Sequence, residues 1–224
     1  MIKKIIKENY VIPLLMVLTI ISFLIIKNSS IVNNIISVDN KIIEIFGYLH
    51  LNGIINFMEI MTYFGDWFIP VIILLCLFLF FKNKWYFYIM TCSYTLAGLL
   101  SFITKYLINR PRPIEALIKM PTSYSFPSGH TLTSIVFYLT LCYLITINFK
   151  DYKRYLIMLL TLILIFIIAL SRVYLGVHYF SDVIGGLILG ILCEIFVIRV
   201  IKQNFIDKII KKSKNSWNII KKII

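Results

Sequence analysis

Cysteine is sparse in this chain, and none of it is paired. Cys76, Cys92, Cys142 and Cys193 all fall inside apolar runs, and none belongs to a CxxC pair. Such thiols behave as small buried hydrophobes, which argues against a disulfide or zinc framework. Acidic residues are scarce as well: 10 Asp+Glu stand against 23 Lys+Arg, a formal net charge of +13. There is no Ser/Gly-rich or Pro-rich linker, no internal repeat and no soluble appendage, so residues 1–224 read as one domain. What the chain has in excess is apolar: 60% of it is hydrophobic, with a mean hydropathy of +0.89. An ordinary soluble domain is about 45–50% apolar. In a soluble protein the positive charge would raise nucleic acid as a partner. In a lipid-embedded chain, flanking lysines anchor helices and set orientation, so no nucleic acid is expected and the bilayer is the partner.

Roughly 20 apolar residues suffice for one bilayer crossing. Six spans are expected, near 10–26, 55–81, 85–106, 129–147, 155–172 and 179–198. Each must be helical, because backbone groups in hydrocarbon need internal partners. The expected fold is an all-α integral membrane bundle of six transmembrane helices. Met1-Ile2-Lys3-Lys4 and the apolar run after it resemble the start of a signal peptide. No small-residue cleavage site follows, so an uncleaved first span is expected. With the N-terminus inside, inner segments carry 16 cations and outer segments 7. This positive-inside bias puts both termini in the cytoplasm of a plasma-membrane protein. The segment near 29–54 reads as an interfacial amphipathic helix. The basic amphipathic tail near 199–224 suits adhesion to anionic inner-leaflet lipid.

Polar clusters interrupt this pattern, and on the cation count all lie on the outer side. Lys105 and Arg112-Pro113 come first, then Pro127-Ser128-Gly129-His130, then a run from Ser171-Arg172 through His178 to Asp182. Ionisable groups beside membrane spans are a functional-site hypothesis by default. Lys105, Arg112 and Arg172 supply positive charge, and the two guanidinium forks suit phosphate oxygens. Ser128 and Gly129 sit where the fourth span begins, and a helix start is a ready anion site. Gly129 admits an oxyanion close to the backbone. His178 and Asp182 are four residues apart and share a helix face, so Asp182 can orient one ring nitrogen and leave the other free to attack. His130 is then available for general acid–base work. Together the groups suit phosphoryl transfer through a phosphohistidine at the outer membrane–water edge.

Taken singly, each group has a plainer explanation. Lys105 or Arg112 alone would be a snorkelling anchor, Pro127-Ser128-Gly129 a turn and cap, and His130 an interface histidine. His178 with Asp182 would be a structural hydrogen bond or half a metal site, but no further ligand cluster completes a metal shell. Asp66 reads as a helix-start residue, Glu115 and Arg110 as loop charges, and His50 as an interface residue.

The combination resembles the type 2 phosphatidic acid phosphatase superfamily. Lys105, six residues and Arg112-Pro113 resemble its first signature. Pro127-Ser128-Gly129-His130 resembles the second. Ser171-Arg172, five residues, His178, three residues and Asp182 resemble the third. The likeness spans nearly the whole chain, and the six-span plan fits the membrane branch, not the soluble vanadium haloperoxidases that share these signatures. It implies that Lys105, Arg112, Ser128, Gly129 and Arg172 hold the phosphate. It implies that His178 attacks phosphorus, Asp182 orients it and His130 handles the leaving-group and water protons. It implies no metal and no cofactor.

A site at the outer bilayer edge leads us to expect a lipid phosphate. Undecaprenyl diphosphate is the favoured substrate, with phosphatidylglycerol phosphate and phosphatidic acid as alternatives. A lipid phosphotransferase on the same scaffold and a non-enzymatic anion-binding or transport protein are the competing readings. The intact histidine pair speaks against the last.

Overall fold

A computed structural model describes residues 10–49, 51–82, 84–147, 149 and 151–223, with side chains up to residue 203. Among these residues the chain is all helix, with no strand: α1 (Val11–Lys27), α2 (Ile31–Gly47), α3 (Asn52–Tyr63), α4 (Phe68–Phe80), α5 (Trp85–Ile108), α6 (Gly129–Thr146), α7 (Tyr152–Tyr174) and α8 (Phe180–Ile223). By length and composition, α5, α6, α7 and the Phe180–Gln203 part of α8 can each cross a membrane. The number rises to six when each bent pair, α1 with α2 and α3 with α4, is taken as one span.

The expected span 55–81 is not one straight helix. It is bent by 42° between α3 and α4. The Asp66 carboxylate accepts from the Trp67 N–H at 3.0 Å, a local bond that competes with the helical ladder. The Phe64 carbonyl at the break is satisfied by the Tyr138 hydroxyl, 2.6 Å away. Gly65 allows the close approach: a Cβ there would lie 2.6 Å from Ile168 and 3.0 Å from the His130 ring. Asp66 lies in the bend before α4, whose N-cap is Trp67 with no side-chain cap bond, so it marks the break without capping the helix. At the other bent pair, α2 turns 89° away from α1.

α6 is the central helix and packs against α5, α7 and α8. One of its faces, with Leu132 and Val136, joins Ile12, Ala97, Leu189 and Cys193 in a core between α1, α5 and α8. A second core, with Ile135 and Phe137 of α6, joins Leu74, Met90, Ile165 and Ile168 from α4, α5 and α7. Small residues let α8 come close to α6, as helix pairs in lipid require. A Cβ at Gly186 would lie 2.7 Å from the Ser128 carbonyl, and one at Gly190 would lie 3.0 Å from Ile135. His50, the first lysines and the side chains of the basic tail beyond residue 203 lie outside the described residues.

Candidate active site

Consecutive spans run in opposite directions, so the end of α5, the start of α6, the end of α7 and the start of α8 meet at one end of the bundle. Lys105 lies in the last turn of α5, which Asn109 closes in the left-handed conformation (φ 52°), a common helix stop. Ser128 caps α6: its hydroxyl lies 3.5 Å from the Thr131 N–H and 3.0 Å from the Thr131 hydroxyl. Its own N–H donates to the Asp182 carbonyl at 2.9 Å, which ties the starts of α6 and α8 together. A Cβ at Gly129 would lie 3.2 Å from the Ser101 hydroxyl and 3.8 Å from the Lys105 side chain, so this helix start sits beside a cation. Val177 and His178 both donate backbone N–H to the Arg172 carbonyl at 3.2 Å. The turn that carries His178 is thereby locked to the end of α7.

His178 is 2% exposed and Asp182 is fully buried. Nδ1 of His178 lies 3.4 Å from Asp182 Oδ2 and 3.5 Å from the Ser125 hydroxyl. Nε2 lies 3.1 Å from the Arg112 guanidinium. An arginine N–H can only donate, so Nε2 is the acceptor and Nδ1 carries the proton. Burial, above all, pushes the His178 pKa down from 6.5 to about 3. The Asp182 carboxylate opposes that shift, while Arg112 and Arg172 add to it. The ring is therefore neutral at physiological pH. Asp182 Oδ2 also accepts from the Ser125 hydroxyl and, at 2.9 Å, from the Tyr179 N–H.

Arg112 touches this ring, Arg172 lies within electrostatic reach of it, and Lys105 lies within reach of both arginines. Arg112 is pinned by the carbonyls of Ser123 (2.7 Å) and Val177 (2.6 Å) and by the Ser123 hydroxyl (3.1 Å). Burial lowers its pKa, against the pull of Asp182. Lys105 donates to the carbonyls of Tyr124 and Ser125. Arg172 is buried and donates to the Thr62 hydroxyl, while its Nε has no hydrogen-bond partner among the described residues. His130 is half-buried and within electrostatic reach of Arg172, His178, Arg112 and Lys105. All eight sequence-derived site residues, Lys105, Arg112, Ser128, Gly129, His130, Arg172, His178 and Asp182, thus gather at this end. Among the described residues no three His, Cys, Asp or Glu side chains form a metal-holding group.

The expectation for Arg110 needs correction. It is not a free loop charge: it makes ion pairs of 2.7 Å with both Asp182 and Asp39. Despite burial, these two carboxylates hold its pKa above the usual arginine value. Asp39, Ser125 and Thr62 are further members of the network that sequence reasoning did not name. Asp39 had a signal, being a carboxylate in an acid-poor chain within a partly apolar segment. Ser125 and Thr62 had none. Glu115 does lie in the connecting loop, and its carbonyl faces Gly176, where φ is +70°.

Residues 85–206, more than half of the chain, match the model of the PAP2 superfamily. Phosphatidylglycerophosphatase B of Bacillus subtilis (strain 168) is 32% identical over 127 residues, covering 55% of this chain and 63% of that protein. The chain therefore matches a little under two thirds of that relative's length. The undecaprenyl-diphosphatase of Sulfolobus acidocaldarius is 30% identical over 159 residues, covering 66% of this chain and 72% of that protein. The crystal structure of a transmembrane PAP2 type phosphatidylglycerolphosphate phosphatase from Bacillus subtilis superposes with a TM-score of 0.73. At 24% identity, it covers 88% of this chain and 96% of that one, and shares the fold. By the sequence match over residues 85–206, the chain belongs to the PAP2 superfamily.

Proposed function

We propose that this protein is a metal-independent membrane lipid phosphatase that works through a phosphohistidine. One observation carries the reading: His178 has Nδ1 turned to a buried carboxylate and Nε2 turned to an arginine of the phosphate-binding set. The Nε2 lone pair attacks phosphorus, and the P–O bond to the lipid leaving group breaks. His130 donates a proton to the departing oxygen. In the second step His130 takes a proton from water, the water oxygen attacks phosphorus, and the N–P bond breaks to release phosphate and free His178. Lys105, Arg112, Arg172 and the α6 start neutralise charge on the transferring group. Arg172 Nε, a buried donor without a partner among the described residues, is suited to a phosphate oxygen.

A lipid is the substrate class this reading favours. Beside the site lies a cleft of about 660 Å³ whose apolar lining includes Phe23, Ile35, Ile108, Phe126 and Ile184, with Arg110 and Asp39 at one side. Such a cleft suits a hydrocarbon chain while the phosphate reaches the cations. Undecaprenyl diphosphate is our favoured substrate, ahead of phosphatidylglycerol phosphate and phosphatidic acid. With both termini cytoplasmic, as the cation distribution argues, the site faces outward. α2, at 89° to α1, would then lie along the outer membrane surface.

The test is phosphate release by the purified full chain across a panel of lipid mono- and diphosphates. We expect hydrolysis, fastest on undecaprenyl diphosphate. Transfer of the phosphoryl group to a second lipid without phosphate release would favour the phosphotransferase instead. No turnover of any member would refute the enzyme.

A further inference from the structure

Arg110 is committed on both arms of its fork. One terminal nitrogen lies 2.7 Å from Asp39 Oδ2, and the other lies 2.7 Å from Asp182 Oδ1 and 2.6 Å from the Ser181 hydroxyl. The guanidinium also stacks 4.1 Å over the Tyr179 ring. Asp39, 1% exposed, is the one buried residue of α2. It reaches across to the start of α8, where it accepts from the Ser181 N–H at 2.9 Å and the Ser181 hydroxyl at 2.6 Å. The two oxygens of Asp182 are thus divided: Oδ1 is held by Arg110, and Oδ2 faces His178, Ser125 and the Tyr179 N–H.

This division has a mechanical consequence. A carboxylate bonded at one oxygen alone can turn about its terminal torsion, whose wells are broad. Holding Oδ1 stops that rotation and keeps Oδ2 against Nδ1. Arg110 in turn needs Asp39, since without it one arm of a largely buried guanidinium would lose its charge partner. We propose that Arg110 and Asp39 are positioning residues: they hold Asp182 for His178, so the seating of α2 on α8 governs phosphoryl transfer. This rests on the phosphohistidine reading above. Both terminal nitrogens of Arg110 face carboxylates, whereas the protein partners of Arg112 and Arg172 are uncharged, so Arg110 acts on the nucleophile and not on the phosphate.

The experiment uses the full chain in detergent with a short-chain isoprenyl diphosphate. It compares Arg110→Ala, Arg110→Lys and Asp39→Asn with Lys41→Ala, on the exposed face of the same helix. We expect kcat to fall about ten- to a hundredfold in the first three, by analogy with outer partners that orient metal-ligating histidines. KM should stay within about twofold, the mark of an interaction that matters only in the transition state. Lys41→Ala should match the wild type. Added guanidinium should restore part of the Arg110→Ala rate and none of the His178→Ala rate, which a merely structural role would not produce. Asp39→Asn keeps an acceptor for the Ser181 N–H, so it decides the matter if Arg110→Ala does not fold. An unchanged kcat in Asp39→Asn, or a rise in KM alone, overturns the proposal. A wild type that releases phosphate without a phosphoenzyme counts against the phosphohistidine, and the kcat of these variants then still decides the positioning role.

Discussion

Nε2 of His178 lies 3.1 Å from the guanidinium of Arg112. Because arginine cannot accept a hydrogen bond, this contact sets the tautomer of the ring: the proton is on Nδ1, toward Asp182, and the lone pair is on Nε2. The relation assigns the two histidines different work. His178→Ala should abolish both turnover and covalent labelling by a radiolabelled lipid diphosphate. His130→Ala should slow turnover but retain labelling with a good leaving group, and should accumulate an acid-labile phosphoenzyme. Labelling that survives in His178→Ala and vanishes in His130→Ala would reverse the assignment.

The pH dependence follows from burial of the same ring. Its pKa is pushed from 6.5 to about 3, so nucleophile protonation should not cause an acid limb near pH 6.5 in kcat/KM. The stability consequence has a definite sign. Between pH 6.5 and about 3 the unfolded chain binds a proton at His178 and the folded chain does not. Stability is therefore full above 6.5 and falls as pH drops through that window. Thermal unfolding in detergent should show a shallower acid decline in His178→Asn. An unaltered slope would mean that the ring is not held neutral.

The charge shell should replace a divalent ion. Activity should persist in excess EDTA, and vanadate should inhibit as a five-coordinate mimic of the transition state. Arg172→Lys keeps the charge but loses the fork, so a loss of about ten- to a thousandfold is expected, by analogy with removing one oxyanion donor. Loss of activity on chelation, restored by one divalent ion, would show that a metal and not these cations neutralises the transferring group.

Gly186 tests the packing that seats the α6 start. An added Cβ would meet the Ser128 carbonyl at 2.7 Å, and backbone cannot swing aside. Gly186→Ala should cost about 1–3 kcal/mol, the range for overpacking, and should lower activity by displacing Ser128 and Gly129. Full stability and activity would show that α8 can slide without disturbing the site.

Topology is open to a direct check. A reporter fused after Lys222 should report the cytoplasm, and a cysteine probe placed at exposed Ile114 should be labelled from outside. The opposite pattern would invert the orientation and the side on which substrate is met.

Much was legible in the sequence because lipid leaves a chain few options. Long apolar runs must be helices, and their order alone puts the ends of α5 and α7 beside the starts of α6 and α8. Lys105 with Arg112, and Arg172 with His178 and Asp182, lie close in sequence, so a helix end and the short turn beside it suffice to bring each group together. What folding alone decided was contact between distant segments. The break at Gly65 depends on His130 and Ile168 arriving from other helices. The bonds of Arg110 to Asp39 and Asp182 join residues 71 and 72 positions apart. Loop charge and buried ion pair look alike in sequence, since a guanidinium reveals its role only through the carboxylates that tertiary packing brings to it.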